Sequence, residues 1–186
     1  MTATIPAFDH NLVLPPHAGD PRVPGDLSPY PCTTLDVVQH FATTPERVKI
    51  LRGFLNFRKQ LDAHGLVCGY QWLDGSFLED IETSESRPPN DLDILTIYWG
   101  YDDSFQIQLM SRFPEFADRN LSKQSFQLDH FPVDAGFRPD VTVDQTRYWI
   151  QLFTHNRNGV WKGMLKIDLN TPDIDAEAIS LLDSLS

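Results

Sequence analysis

Apolar positions in residues 1–31 follow neither a helical nor a strand period. Seven of the chain's fourteen prolines fall there: Pro6, Pro15, Pro16, Pro21, Pro24, Pro29 and Pro31. Proline removes a backbone donor and restricts the residue before it, which argues against a long helix or a central strand. Ile5, Phe8, Leu12, Val13 and Leu14 supply apolar anchors. The segment is therefore expected to lie as an extended arm on a single domain of residues 32–186, with a disordered tail as the alternative. "TTLDVVQHF" then reads as a short helix behind a threonine N-cap. "TTPERVKILRGFLNFRKQLDAHG" predicts a longer one, with Thr43 and Glu46 at capping-box spacing, Pro45 in the first turn and Gly65 as the stop. Val48, Leu51 and Leu55 form one apolar row and Ile50, Phe54, Phe57 and Leu61 a second. Arg47, Lys49, Arg52, Arg58 and Lys59 fill most of the remainder and read as a solvated face.

After Gly65 the pattern changes to strands. "LVCGYQWLDG" ends on a glycine, "DLDILTIYWG" is apolar enough to be central in a sheet, and "SFQLDHFPVD" reads as a third strand. Between the last two, "DDSFQIQLMSRFPEFADRNLS" reads as an irregular or helical crossover interrupted at Pro114. The two apolar runs of "RYWIQLFTHNRNGVWKGMLKIDL" flank "NRNG", which predicts a C-terminal β-hairpin. "DIDAEAISLLDSL" closes the chain as a helix with an acidic first turn. The sum is an α+β fold: a small mixed sheet flanked by helices.

Two places in this pattern carry candidate chemistry. Alternation puts Asp91 and Asp93 on one face of a strand, next to a loop. Two ionised carboxylates so close repel each other, and a divalent cation reverses the sign of that interaction. Mg²⁺ suits one or two carboxylates completed by water and phosphate oxygens. Gly75-Ser76, at the end of the preceding strand, would let backbone amides approach a phosphate and add a hydroxyl donor. A helical turn begun by "SFLEDIE" would aim its free N–H groups at the same anion. Each signal alone is more simply explained by strand-end solvation.

In order, however, an apolar strand, Gly-Ser, a short segment and Asp-x-Asp opening a second apolar strand resemble the polymerase-β-type nucleotidyltransferase superfamily. "IPAFDHNLVLPP", "WLDGSFLED", "NDLDILT" and "YWIQLFTHNRNGVWKGMLKIDL" extend the likeness to a group of uncharacterised bacterial proteins with a minimal nucleotidyltransferase-like core. The resemblance implies a third carboxylate from a later strand. Asp129, held between apolar neighbours, is preferred to Asp134 in the turn after it. It also implies Asp91, Asp93 and Asp129 as metal ligands for Mg²⁺ or Mn²⁺, with Gly75 and Ser76 gripping the triphosphate of an NTP. Asp129 would also help to deprotonate the acceptor hydroxyl. The implied activity is transfer of a nucleoside monophosphate to a protein or tRNA acceptor, in a toxin–antitoxin or phage-defence setting. Phe77, where many members carry a small or basic residue, and the inserted "TSESRPP" depart from the common pattern. The alternatives are a non-catalytic nucleotidyltransferase-like module that partners a toxin or effector, and an unrelated α+β domain with solvated acids.

Composition narrows the partners. A net charge of −11 and a pI near 4.8 argue against a broad nucleic-acid surface, though not against a local groove. No apolar run reaches membrane-spanning length, the N-terminus lacks a secretory pattern, and Cys32 and Cys68 have no ligand spacing; a reduced cytoplasmic setting is expected. Cys68 reads as a small core residue, and Trp72, Trp99, Trp149 and Trp161 as anchors of sheet and core. His155, Arg157 and Lys162 read as a solvated turn, with contact to an acceptor or a phosphate as the alternative.

Overall fold

A computed structural model describes residues 5–185 as an α+β protein. A five-stranded mixed sheet has the order β1-β5-β2-β3-β4, with β1 Tyr30–Pro31, β2 Gly69–Asp74, β3 Leu92–Tyr98, β4 Leu128–Asp134 and β5 Leu165–Asp168. β2 runs antiparallel to β3 and β5, while β3–β4 and β1–β5 are parallel. The helices are α1 Thr34–Phe41, α2 Pro45–Ala63, α3 Ile81–Glu85, α4 Asp103–Arg112, α5 Arg119–Phe126, α6 Pro139–Phe153 and α7 Pro172–Ser184. Among the described residues, no helix is long and apolar enough to cross a membrane.

The two faces of the sheet are covered unequally. Leu73, Leu92, Ile94, Leu128, Leu165 and Ile167 face α1, α2 and α7 and share their main core. The alternate residues of the same strands, Trp72, Leu95 and Ile97, form a smaller cluster with Trp149 and Phe153 of α6 and with Met164, flanked by the partly buried Tyr70, Phe131, Val133 and Ala135. Asp93 and Asp129 belong to this second, thinly covered face, because each lies two residues from an apolar member of it: Leu95 and Phe131.

The N-terminal segment is extended, and its anchors work: Ile5, Val13 and Leu14 are buried and Phe8 packs on the core. Its last two residues form β1, so the arm completes the sheet instead of merely lying on it. α1 carries its threonine cap at Thr33, in a capping box with Asp36. At α2 the cap is Thr44, whose side chain accepts from the Arg47 amide; the Thr43–Glu46 box does not form. The crossover between β3 and β4 is helical and broken at Pro114, as its sequence predicts.

Three readings of the sequence are corrected. The C-terminal hairpin is absent, since Arg147 to Phe153 belong to α6. The Asn-Gly turn exists, with Gly159 at φ +75°, but it joins a helix to β5 through one isolated bridge, His155 to Trp161. The spacing that decides is Trp149 to Phe153, one helical turn apart and both buried, with Tyr148 exposed just before them and Ile150 and Leu152 exposed between them. Cys68 is exposed, not core, and of the four tryptophans only Trp72 and Trp149 are buried. The cationic face of α2 is only partly solvated: Arg47 and Arg58 are each 2% exposed.

Arg58 donates to Asp175 of α7, to Gln71 Oε1 and to the carbonyls of Asp168 and Leu169. From Gln71 a buried chain crosses the sheet to Thr96 and His130, whose Nδ1 meets the Phe116 carbonyl. Burial pushes His130 down to about 3, so it is neutral here and completes the chain without charge. Arg47 bonds the carbonyls of Phe77 and Glu79 and the carboxylate of Glu82, tying α2 to the segment that follows Gly75-Ser76.

α2 and α5 approach closely at Gly53, where an added Cβ would lie 2.0 Å from the Phe126 carbonyl oxygen. Gly53→Ala is therefore expected to destabilise the protein by about 2 kcal/mol despite the better helix propensity of alanine. A urea titration followed by circular dichroism measures it, and an unchanged or raised midpoint would show that the helices can part without cost.

Candidate metal centre

The site forms where β2, β3 and β4 line up at one end of the sheet. The register places Asp74 opposite Asp93 and Asp93 opposite Asp129, and Asp91 immediately precedes β3. One carboxylate oxygen from each of Asp91, Asp93 and Asp129 lies within 4.8 Å of the others. Three hard oxygen donors so grouped could hold a metal ion. Asp134 stands at the far end of β4, occupied with Gln106 and the Gly136 amide, and takes no part.

Gly75 adjoins the same acids. It has φ +85°, and a Cβ placed there would lie 2.8 Å from Asp93 Oδ2, so both its backbone and its surroundings require glycine. The "TSESRPP" insertion is absorbed by α3 and by Ser86 in a left-handed conformation. It does not disturb the neighbourhood of β2 and β3. Ser76 begins a three-residue 3-10 turn, not a helix, so the helical anion cradle expected of "SFLEDIE" is reduced to a single turn. That turn uses the amides of Leu78 and Glu79 for its own bonds.

Charges around the centre are of two kinds. Lys162, 1% exposed, is a buried strut: its Nζ donates to Glu79 Oε1 at 2.8 Å and to the Gly75 carbonyl at 3.0 Å, and it lies 3.0 Å from Asp74 Oδ1. The turn reading of Lys162 is thus wrong, because its side chain runs inward under the Gly-Ser turn. Burial alone would lower its pKa, but Asp74 and Glu79 together outweigh that and hold it above the ordinary lysine range. Asp74 Oδ1 is ion-paired with Lys162 yet off the direction of a hydrogen bond, and has no hydrogen-bond partner among the described residues.

The second kind is exposed. Arg119, at the start of α5, forks onto both oxygens of Asp129, and Lys123 Nζ lies 2.5 Å from Asp91 Oδ2. These bonds raise both cations above their usual pKa, Arg119 through Asp129 and Lys123 through Asp91. Among the described residues Asp93 has no such partner. Burial first, then the charges of Asp74, Asp91 and Asp129, push it up to about 7. A buried carboxylate raised by three neighbouring acids fits a centre short of positive charge.

Asp91, Asp93, Asp129 and Gly75 were legible as chemistry before folding was considered. Asp74, Arg119 and Lys123 were not: nothing in their local pattern marks them, and only the register of three strands and the facing of α5 assemble them. Lys162 was marked only as part of a turn.

Fold and site together define an α+β protein with a three-carboxylate candidate metal centre on the thinly covered face of its mixed sheet. Residues 6–168 match the family of unknown function DUF6932, and the chain belongs to that family. The match takes in all five strands and every residue of the site, and stops before α7. No curated protein and no solved structure matches the chain.

Proposed function

We propose that the protein is a metal-dependent nucleotidyltransferase that moves a nucleoside monophosphate from an NTP to a protein or RNA acceptor. The observation that supports this reading best is the meeting of an obligatory glycine, Gly75, with three carboxylates contributed by β3, its leading residue and β4. A phosphate chain needs both an approachable backbone and a counter-charge for its oxygens, and few other ligands need the two side by side.

Asp91, Asp93 and Asp129 would hold Mg²⁺ or Mn²⁺, which when bound neutralises phosphate charge and makes an acceptor hydroxyl more acidic. Gly75 keeps the strand end open to the triphosphate, and Ser76 offers a hydroxyl with no partner of its own among the described hydrogen bonds. Asp129 is assigned the proton of the acceptor hydroxyl. The acceptor oxygen forms a bond to the α-phosphorus as the bond to the bridging oxygen breaks, and pyrophosphate leaves. Lys162 holds the Gly75 carbonyl and so fixes the turn against the acids.

A second reading is supported by one specific observation: Arg119 and Lys123 already neutralise two of the three acids. On that reading the protein is a nucleotidyltransferase-like module that binds a partner and catalyses nothing. Transfer of label from each α-³²P NTP, with Mg²⁺ or Mn²⁺, to bacterial protein and tRNA separates the two. Wild type is expected to label an acceptor and Asp91→Asn to lose at least about a hundredfold of that rate. Label transfer by neither, with nucleotide still bound, would favour the module.

A further inference from the structure

The cations of this protein divide sharply by how they are held. Arg47, Arg58 and Lys162 have side chains 1–3% exposed and several fixed partners each. Arg119 and Lys123 have side chains 58% and 51% exposed, and each is paired with one acid of the candidate centre. They lie four residues apart on α5 and therefore on one side of it, facing the acids. Gln127 in a left-handed turn and buried Ser122, which bonds the carbonyls of Arg119 and Leu128, fix α5 against β4. So the helix backbone is fixed against β4 while the two charged heads stand exposed at its edge. Their acids are only 8% and 17% exposed, so each pair holds until something else of positive charge takes the acid. In the same pose the Arg119 guanidinium carbon lies 5.1 Å from the centre of the Phe131 ring.

We propose that Arg119 and Lys123 are exchangeable counter-ions: they cover Asp129 and Asp91 while the centre is free of metal, and once metal is held there they turn to the phosphates of the substrate. The first half needs only a metal site, and the second rests on the nucleotidyltransferase reading. The exchange follows from charge. Asp91, Asp93 and Asp129 bring three negative charges and Arg119 and Lys123 two positive ones, while Lys162 is committed to Asp74 and Glu79. A divalent ion at Asp91, Asp93 and Asp129 makes this group of five side chains net positive if both exposed cations stay. Two cations freed at its edge are then placed to receive an anion.

The test titrates the full-length protein with Mn²⁺ alone, by electron paramagnetic resonance of the free ion. It then titrates the Mn²⁺-loaded protein with inorganic triphosphate and with ATP. Arg119→Gln/Lys123→Gln is expected to bind Mn²⁺ about tenfold more tightly than wild type and both phosphate probes at least about tenfold more weakly. Lys59→Gln, which removes an exposed cation from α2 on the opposite face of the sheet, is expected to leave both affinities unchanged. Equal Mn²⁺ affinity in wild type and double variant overturns the exchange, as does an equal gain in Lys59→Gln, which would be a long-range charge effect. Tighter Mn²⁺ with unchanged triphosphate and ATP overturns the phosphate role. Failure of every protein to bind Mn²⁺ overturns the metal reading itself, and the exchange with it.

Discussion

Asp93→Asn is expected to make the folded protein more stable without metal at neutral pH and, on the proposed function, to lower nucleotidyl transfer by roughly a thousandfold or more. Both effects have the same origin. Asp93 sits in the middle of the acids, largely removed from water, with neighbours on three sides of its own sign. Its folded pKa of about 7 lies well above that of a carboxylate in the unfolded chain, so the unfolded state loses this proton first. The stability due to this group is complete below about pH 4, falls as the pH rises and is lost above about pH 7. Asparagine keeps the shape and removes the charge. Its advantage over wild type should therefore open between about pH 4 and 7 and level off on the order of 3 kcal/mol above that. Urea titrations at pH 4.5, 6 and 7.5 with a chelator present read the difference directly. A variant less stable than wild type at pH 7.5 would mean that Asp93 is already well compensated, and the case for a missing cation would fail.

Lys162→Met should have the largest effect on stability, a loss on the order of 3–5 kcal/mol. Methionine has nearly the right length and fills the channel, so little packing is lost. What remains is the charge of Asp74 and Glu79 with no cation between them, and a Gly75 carbonyl without its donor. Asp74→Asn in the same background removes part of that repulsion and is expected to restore a measurable fraction, because the two residues share one network. Thermal denaturation of the single and double variants decides the matter. Simple addition of the two losses would show that Lys162 acts alone, as an ordinary buried side chain.

Lys162 also illustrates how far local pattern reaches. "NRNGVWKG" carries every mark of an exposed turn, and the turn is there. The lysine after it nevertheless points inward, because β5 begins at Leu165 beside β2 and the chain must pass under Gly75 to arrive. Arg47 and Arg58 were hidden in the same way. On α2 they occupy positions that a solvated helix would also give to arginine. Only the packing of α7 over one and of the Phe77–Glu82 segment over the other turns them into buried anchors. The helix α6 was mistaken for a strand because Trp149, Ile150 and Phe153 are apolar on either reading. Pro139 at the first helical position, with Asp140 beside it, was the local sign that favoured the helix.

The sequence by itself determined the α+β class, three of the strands, the three helices α1, α2 and α7 in outline, and the residues that could carry charge chemistry. These follow from short-range rules: the period of apolar side chains, the conformational limits of proline and glycine, and the alternation that sets Asp91 and Asp93 on one face. Tertiary structure decided that Asp129, which the sequence only preferred to Asp134, joins them, that Gly75 lies against Asp93, and which cations are buried and which exposed. Those outcomes depend on strand register and helix docking. Register and docking are set by the burial of the whole core, so no stretch of the chain carries them alone.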